Sequence, residues 1–560
     1  MLQPRHRSAR RVAAAVFPLV ALGASATAQS IYNYTGAAGG DLLGWAVSDV
    51  GDVNKDGTDD FAIAAPYHDA GGTDAGAVYV HSGADGSVLF TFNGTAALDH
   101  LGYSLSAAGD VNNDTFPDII AGAPGPAVAA VGPGKAVVFS GQDGSVLLTI
   151  NGEVTGDRFG HSVSDAFDVN LDGFGDLLVG APGDDEVPFA VGRAYLISGA
   201  DGSTLRTFLG NTERDRFGHA VEGIGDLNGD GRPEAIVGAP LDNVGASDNG
   251  SVTVYSGIDG TQLSSFSLPF VNADMGHAIS RLEDLNGDSI PEYVVSARWQ
   301  QDNGVTHVFN GATQTRLFIR LGNSVAVWSG FSIANVGDIN RDSVPDLAVS
   351  APLEVGTPVY PDVPMLGGVR FLSGVDGSPI RALIGPEDQT WYGHSIAAVD
   401  VDSDGVRDLV VGEPLGQNGR GRVEVVPSFT TFVGSREKIS TRNGGTQNMI
   451  LRAGPSFGNM TYFVLGSAVG TRPVVPIPPI ELPLVPDGYF AFTFSQPGTP
   501  PLGNTFGTLD AQGRAVATFS IPGGLTNLLI GITLHHAYVV FDGSLNPVFA
   551  SNAVPLVLWF

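Results

Sequence analysis

Residues 159–182 read FGHSVSDAFDVNLDGFGDLLVGAP, and the chain repeats this stretch. Its acidic nine-residue centre, 168–176, recurs as DVNKDGTDD from Asp52, DVNNDTFPD from Asp110 and DLNGDGRPE from Asp226. Further copies are DLNGDSIPE from Asp284, DINRDSVPD from Asp338 and DVDSDGVRD from Asp400. Successive copies start 58, 58, 58, 58, 54 and 62 residues apart, a spacing that chance does not produce. Ahead of each lie a Gly, a ring-bearing residue and an alternating run. Behind each lies an apolar run ending in Gly-Ala-Pro or a variant, such as FAIAAP from Phe61 and LVVGEP from Leu409.

A third run follows, as in GAVYVHSG (76–83) and GRAYLISG (192–199). Asp-Gly turns stand after it at Asp85, Asp143, Asp201, Asp259 and Asp376, and a fourth run closes the unit, as in LFTFNG (89–94). Four short runs separated by turn signals, without sustained 3.6-residue periodicity, predict four strands per unit. Such units repeated radially are the blades of a propeller, and a lone blade cannot bury both of its faces. The expected fold is therefore all-β: a seven-bladed propeller over residues 30–428, followed by a small β-sandwich-like domain over 430–560. The seventh copy lacks a clear fourth run, and IYNYTG (31–36) resembles one. This N-terminal strand is expected to complete the last blade and lock the ring.

The acidic centres present oxygen at fixed places. Position one is Asp52, Asp110, Asp168, Asp226, Asp284, Asp338 and Asp400. Position three is Asn54, Asn112, Asn170, Asn228, Asn286, Asn340 and Asp402. Position five is Asp56, Asp114, Asp172, Asp230, Asp288, Asp342 and Asp404. Position nine is Asp60, Asp118, Asp176, Glu234, Glu292, Asp346 and Asp408. Hard oxygen ligands alternating along a tight turn suit calcium, so these residues are the candidate ligands for up to seven ions. An EF-hand would need a Glu at position twelve, where the chain has Ile63, Ala121, Val179, Val237, Val295, Val349 and Val411. A calcium-bound hairpin loop is preferred. A metal-free Asx turn is the plainer alternative, and seven loops with the same oxygen positions outweigh it. Gly57, Gly173, Gly231 and Gly405 hold position six; Thr115, Ser289 and Ser343 mark loops two, five and six as the weaker candidates.

Composition agrees. The 560 residues carry 58 acids and 28 bases, for a net charge of -30, and no cysteine. The four ligand positions hold 22 of those acids, and the other 36 exceed the 28 bases by only 8. A surface this negative repels phosphate backbones, which argues against nucleic acid as a partner. Four arginines within the first 11 residues, an apolar stretch over 12–26 and Ala26-Thr27-Ala28 read as a cleaved signal peptide, residues 1–28. The expected location is secreted, periplasmic or at the cell surface, with no transmembrane segment after cleavage. An exported chain without cysteine has no disulfide staples and no thiol chemistry.

The linked Gly-ring-Ser, DxNxDGxxD and Gly-Ala-Pro motifs resemble FG-GAP repeats, which form the seven-bladed head of integrin α-subunits and occur in related bacterial surface proteins. The resemblance spans about residues 30–428. It implies calcium loops on the face opposite the usual ligand-binding loops, and adhesion or ligand binding as the function. The departures are Arg298 in place of Pro, Glu413 in place of Ala, and Ser329-Gly330-Phe331 in place of Phe-Gly.

Little else in the chain carries chemistry. His161, His219, His277 and His394 follow the blade Gly, and Ser162 and Ser395 follow two of them. Because Trp45, Tyr103 and Phe331 fill the same place elsewhere, it reads as a packing position rather than a catalytic one. The histidine segments read GHSVS (160–164) and GHSIA (393–397) rather than Gly-x-Ser-x-Gly, and H-E-x-x-H and phosphate-loop motifs are absent. Arg298, Trp299 and Gln300 break the pattern in blade five, as Glu413 does in blade seven, and mark a candidate ligand patch on one rim. Beyond Thr430 the runs MTYFVLGSA, YFAFTFS, RAVATFSI, NLLIGITL and AYVVFD read as strands, and VPLVLWF as a terminal one. FGTLDAQGRA and ASNAVPLVLWF resemble a C-terminal domain of secreted planctomycete-type proteins. The function expected is non-enzymatic binding of an extracellular protein or glycan. A secreted polysaccharide lyase or hydrolase, or a purely structural surface protein, is the alternative.

Overall fold

The structure is a computed structural model. It describes residues 30–126, 132–183, 191–244, 246–300, 303–322, 328–340, 342–353, 366–401, 406–428 and, in shorter stretches, much of 432–559. The expected signal peptide and two of the candidate ligands, Asp402 and Asp404, lie outside the described residues.

The apolar runs behind the acidic centres become strands buried along their whole length, such as Asp60–Ala65 and Asp176–Ala181. They are covered on both faces, which is why they read as continuous rather than alternating. Each is the second strand of a four-stranded antiparallel sheet. In the first blade the order is Val47–Gly51, Asp60–Ala65, Ala77–His81 and Val88–Asn93. Seven such sheets occur, and fourth strands such as Thr204–Leu209 face solvent on one side.

Apolar cores lie between blades. Phe92 and Val80 of blade one pack with Ile119 and Phe139 of blade two. Clusters of the same kind join two to three, three to four, four to five, five to six and six to seven. The seventh joins Val399, Val410 and Val425 of the last blade to Phe61 and Ile63 of the first. Seven cores in cyclic order are a closed ring, the seven-bladed propeller expected from the repeats.

Closure follows the expected route. Tyr32–Thr35 is the fourth strand of the last sheet, with Tyr32 opposite Val425 and Tyr34 opposite Val423. Its tyrosines also grip blade one: Tyr32 Oη donates to the Gly83 carbonyl and Tyr34 Oη to that of Gly86, both at 2.9 Å. First and last blades are thus joined by backbone pairing as well as by apolar packing.

Ten of the remaining strands form one sheet with a short parallel pair, Lys438–Ser440 on Val554–Trp559, at its middle, and Val475–Ile477 pairs with Ile480–Leu482 in a separate two-stranded hairpin. Met449, Leu451 and Phe519 from one half share a core with Tyr462, Tyr538 and Val540 from the other. The sheet therefore folds over on itself like a sandwich. One segment departs from expectation. YFAFTFS, read as a strand, lies in the helix Gly488–Ser495. Its alternating aromatics also satisfy helical spacing: Tyr489 and Phe492, three apart, pack on one core, while Phe490 packs on another. The run NLLIGITL lies mostly outside the described residues.

Candidate metal loops and the opposite rim

Antiparallel order fixes which end of a blade each loop occupies. The acidic loop joins strands one and two and shares its end with the turn between strands three and four. The ring-bearing residue, the loop between strands two and three and the connector to the next blade share the opposite end.

At the acidic end the loops share one scaffold. In loop one Asp52 Oδ1 accepts the Asp56 N–H at 3.0 Å and Asp52 Oδ2 the Gly57 N–H at 2.9 Å. Asn54 Oδ1 accepts from Asp56, and Asp56 Oδ1 from Thr58. Loops two to six repeat these bonds from Asp110, Asp168, Asp226, Asp284 and Asp338. Position six has a left-handed φ in each of them, at 93° for Gly57, 74° for Thr115, 69° for Ser289 and 71° for Ser343. The three exceptions to glycine are therefore strained, not rearranged.

Position nine is buried in all seven blades. In blades one, two, three and six, where it is Asp, both oxygens hold backbone: Asp60 accepts from Val53 at 3.0 Å and from Gly83 at 2.9 Å, and Asp118, Asp176 and Asp346 do the same. Burial pushes these four carboxyls up to about 6, and the acids at position five push the same way. Burial likewise pushes Glu234 up to about 7.

Glutamate's extra methylene changes the reach. Glu234 Oε2 keeps the Leu227 N–H at 2.6 Å, but Oε1 turns into the loop and accepts from Asn228 Nδ2 at 2.9 Å. Glu292 does likewise with Leu285 and Asn286. Among the described residues, two loops bring three carboxylates together: Asp226, Asp230 and Glu234, and Asp284, Asp288 and Glu292, with oxygens within 4.8 Å of one another. A calcium ion bound at roughly 2.3–2.6 Å to each ligand spans that gap. The donor set fits the ion in these loops. Loop five, one of the weaker candidates by sequence, is one of the two. In loop seven, Asp400 and Asp408 are the candidates that fall within the described residues.

At the other end the seven ring-bearing residues close a collar. Centroids lie 5.5 Å apart for Trp45–Tyr103, 5.2 for Tyr103–His161, 4.8 for His161–His219 and 4.9 for His219–His277. The circuit continues at 5.2 Å to Phe331, 4.9 to His394 and 4.6 back to Trp45. Burial holds His161 and His277 well below the ordinary imidazole range and takes His394 down to about 4, so these rings stay neutral at pH 7. Ser162 Oγ donates to the Gly218 carbonyl and Ser395 Oγ to that of Gly44, each at 2.9 Å, stitching blade to blade. The blade glycines must be glycine: at Gly160, φ +87°, a Cβ would lie 2.3 Å from the Lys135 oxygen.

Two residues before each blade Gly, the chain is left-handed in every blade, at Leu42, His100, Arg158, Arg216, Asp274, Trp328 and Trp391, with φ between 53° and 61°. None of the seven is Gly or Asn, so their residue types do not announce this geometry. Beside the fifth of them lies a cleft of about 600 Å³ with Leu241, Phe270, Val271 and Trp299 as its apolar lining and Asp248, Asn272 and Asp274 as its polar groups. Of the residues that break the repeat, Trp299 lines this cleft. Gln300 is buried against His307 at 2.7 Å, and Glu413 is buried 3.6 Å from Arg422.

Residues 44–81, 101–139, 217–255 and 392–426 match the FG-GAP repeat model. These are parts of blades one, two, four and seven; the other three blades repeat their four-stranded order. The chain is 31% identical over 215 residues to integrin alpha-5 of Xenopus laevis, covering 35% of this chain and 20% of that protein. It is 33% identical over 216 residues to integrin alpha-2 of Bos taurus, covering 35% and 18%. It is 30% identical over 306 residues to phosphatidylinositol-glycan-specific phospholipase D of Bos taurus, covering 46% and 35%. The matches span about a fifth to a third of these relatives. The chain carries FG-GAP repeats and is similar to integrin α-subunits over about a third of its length. Among the described residues no helix is long and apolar enough to cross a membrane.

Proposed function

We propose that this FG-GAP propeller is an extracellular, calcium-binding, non-enzymatic protein that mediates adhesion or binds a protein or glycan ligand. Residues 1–28 are its export signal, 30–428 the propeller and 430–560 a further all-β domain. Calcium sits in the acidic loops, held by positions one, three, five and nine. It neutralises carboxylates that are otherwise crowded and, at position nine, buried. The likeness to integrin α-subunits supports a ligand-binding surface.

The observation that carries the reading is the contrast between the ends. One end repeats the same oxygen ligands in every blade, as a shared structural role requires. The other holds seven left-handed residues of differing chemistry around a collar, and left-handed non-glycine residues cost roughly 1 kcal/mol or more each. Strain kept in every blade while the side chain varies suits a contact surface.

The test is surface binding of the purified chain to panels of matrix proteins and oligosaccharides, in calcium and in chelator, with turnover assays on each hit. Calcium-dependent binding without turnover is expected. Turnover, or binding indifferent to chelator, would overturn this reading.

A further inference from the structure

The cleft between blades four and five has a composition that the repeat does not require. Its two facing loops place Leu241 and Trp299 at equivalent positions, each just after the Gly-Ala-Pro site of its blade. The connector supplies Phe270 and Val271, 40% and 63% exposed. Arg298, standing where other blades have Pro, braces the cleft from behind. It donates to Asp274 Oδ2 at 2.7 and 3.2 Å, and its guanidinium lies 5.2 Å from the Trp328 ring and 5.9 Å from that of Trp299. Trp299 meets Trp328 edge-on at 5.6 Å, and Trp328 meets Trp391 at 6.5 Å. With Trp45 in the collar, four of the chain's five tryptophans stand at this end.

We propose that this cleft binds a neutral carbohydrate chain, with Trp299 as the stacking platform and Asp248 and Asn272 as hydroxyl partners. The inference rests on the ligand-binding reading above and names the ligand's chemistry. Three features select it. The volume falls within the roughly 300–1,000 Å³ of small-ligand sites, whereas a stable protein partner covers about 800 Å² on each side. A pyranose offers an apolar C–H face to an aromatic ring and hydroxyls at its edge, which matches an indole flanked by a carboxylate and an amide. Arg298, the guanidinium that braces the cleft, is already paired with Asp274, and the chain carries -30 overall, so an acidic sugar would be repelled.

Titrate the full chain in calcium with neutral gluco-, xylo-, manno- and N-acetylglucosamine oligosaccharides of three to six units, following tryptophan fluorescence and calorimetry. At least one series should bind. Trp299→Ala should weaken it tenfold or more, Trp299→Phe should restore part of the loss, and Asp248→Asn should weaken it severalfold, with melting unchanged in each. If Trp299→Ala lowers melting, Asp248→Asn and Asn272→Ala decide. Binding that survives these changes overturns the site. Binding to a matrix protein but to no neutral oligosaccharide overturns the carbohydrate assignment and leaves the ligand-binding reading standing. Binding to neither overturns both.

Discussion

The two ends of the propeller derive from the same seven repeats, yet they differ in what has been kept constant. At the acidic end the side chains are constant and the backbone follows from them: Asp at position one collects the amides of positions five and six in loop after loop. At the collar end the backbone is constant and the side chains vary, from Leu42 through Arg158 and Asp274 to Trp391 at one left-handed position. A loop whose job is the same in every blade keeps its ligands. A rim that contacts something asymmetric keeps its geometry and changes its chemistry.

Removing calcium should separate the ends most sharply. Extracellular calcium sites bind at roughly 10⁻⁴–10⁻³ M, and at tenfold excess over the dissociation constant each adds about 1.4 kcal/mol. Seven occupied loops would together contribute on the order of 10 kcal/mol, comparable with the whole stability of a domain. Calorimetry in chelator should show a large fall in melting temperature, and readdition of calcium should reverse it. An unchanged melting temperature would mean that the loops are Asx turns only.

Acid should act at both ends, and at the collar it acts through His394. The folded-state pKa of His394 is depressed to about 4 by burial, so its contribution is fully present above about pH 6.5 and is lost as pH falls towards 4. The loss amounts to on the order of 3 kcal/mol. His394→Phe, which copies Phe331 of the neighbouring blade, gives up the His394 Nδ1 contact with the Trp45 carbonyl at 2.9 Å. Melting should therefore fall slightly at pH 7.5 and decline less between pH 7 and 5 than in the wild type. Parallel declines would show that His394 does not titrate.

Within the acidic end, position nine should divide the loops. Calorimetric titration with calcium should resolve two tighter sites, and Glu234→Gln with Glu292→Gln should remove them, weakening each about tenfold. A single affinity class would show that glutamate's reach does not set affinity.

How much of this was readable depends on whether the cause was local. The blades were, because strand alternation, Asp-Gly turns and the acidic centres are local features repeated seven times. Closure by residues 31–36 was too, because IYNYTG has the alternation of the fourth strands it replaces. The helix Gly488–Ser495 was not: alternating aromatics fit both periods, and only the surrounding cores decide. The collar was half legible. Rings at one position signalled packing, but which ring touches which depends on closure. The cleft was least legible. Trp299 broke the pattern, whereas Leu241 and the connector carrying Phe270 and Asn272 look ordinary until two blades bring them together.

The smallest effect concerns position six, where three loops hold a left-handed φ without glycine. At Gly57, Gly173 and Gly231 an added Cβ would meet nothing within 4 Å, so the backbone conformation alone sets the cost of a side chain. That cost is roughly 1 kcal/mol, highest for a β-branched residue such as Thr115 at φ 74°. Thr115→Gly removes the strain, and the unfolded chain's added freedom offsets part of the gain. The variant should melt slightly higher than the wild type, by no more than about 1 kcal/mol in equilibrium denaturation, and Ser343→Gly should gain less. The hydroxyl of Thr115 also accepts from Lys55 Nζ of the neighbouring loop at 2.6 Å. Thr115→Gly combined with Lys55→Ala should therefore show the full backbone gain relative to Lys55→Ala alone. A loss in that second comparison would mean that position six is held by its side chain and not by its backbone.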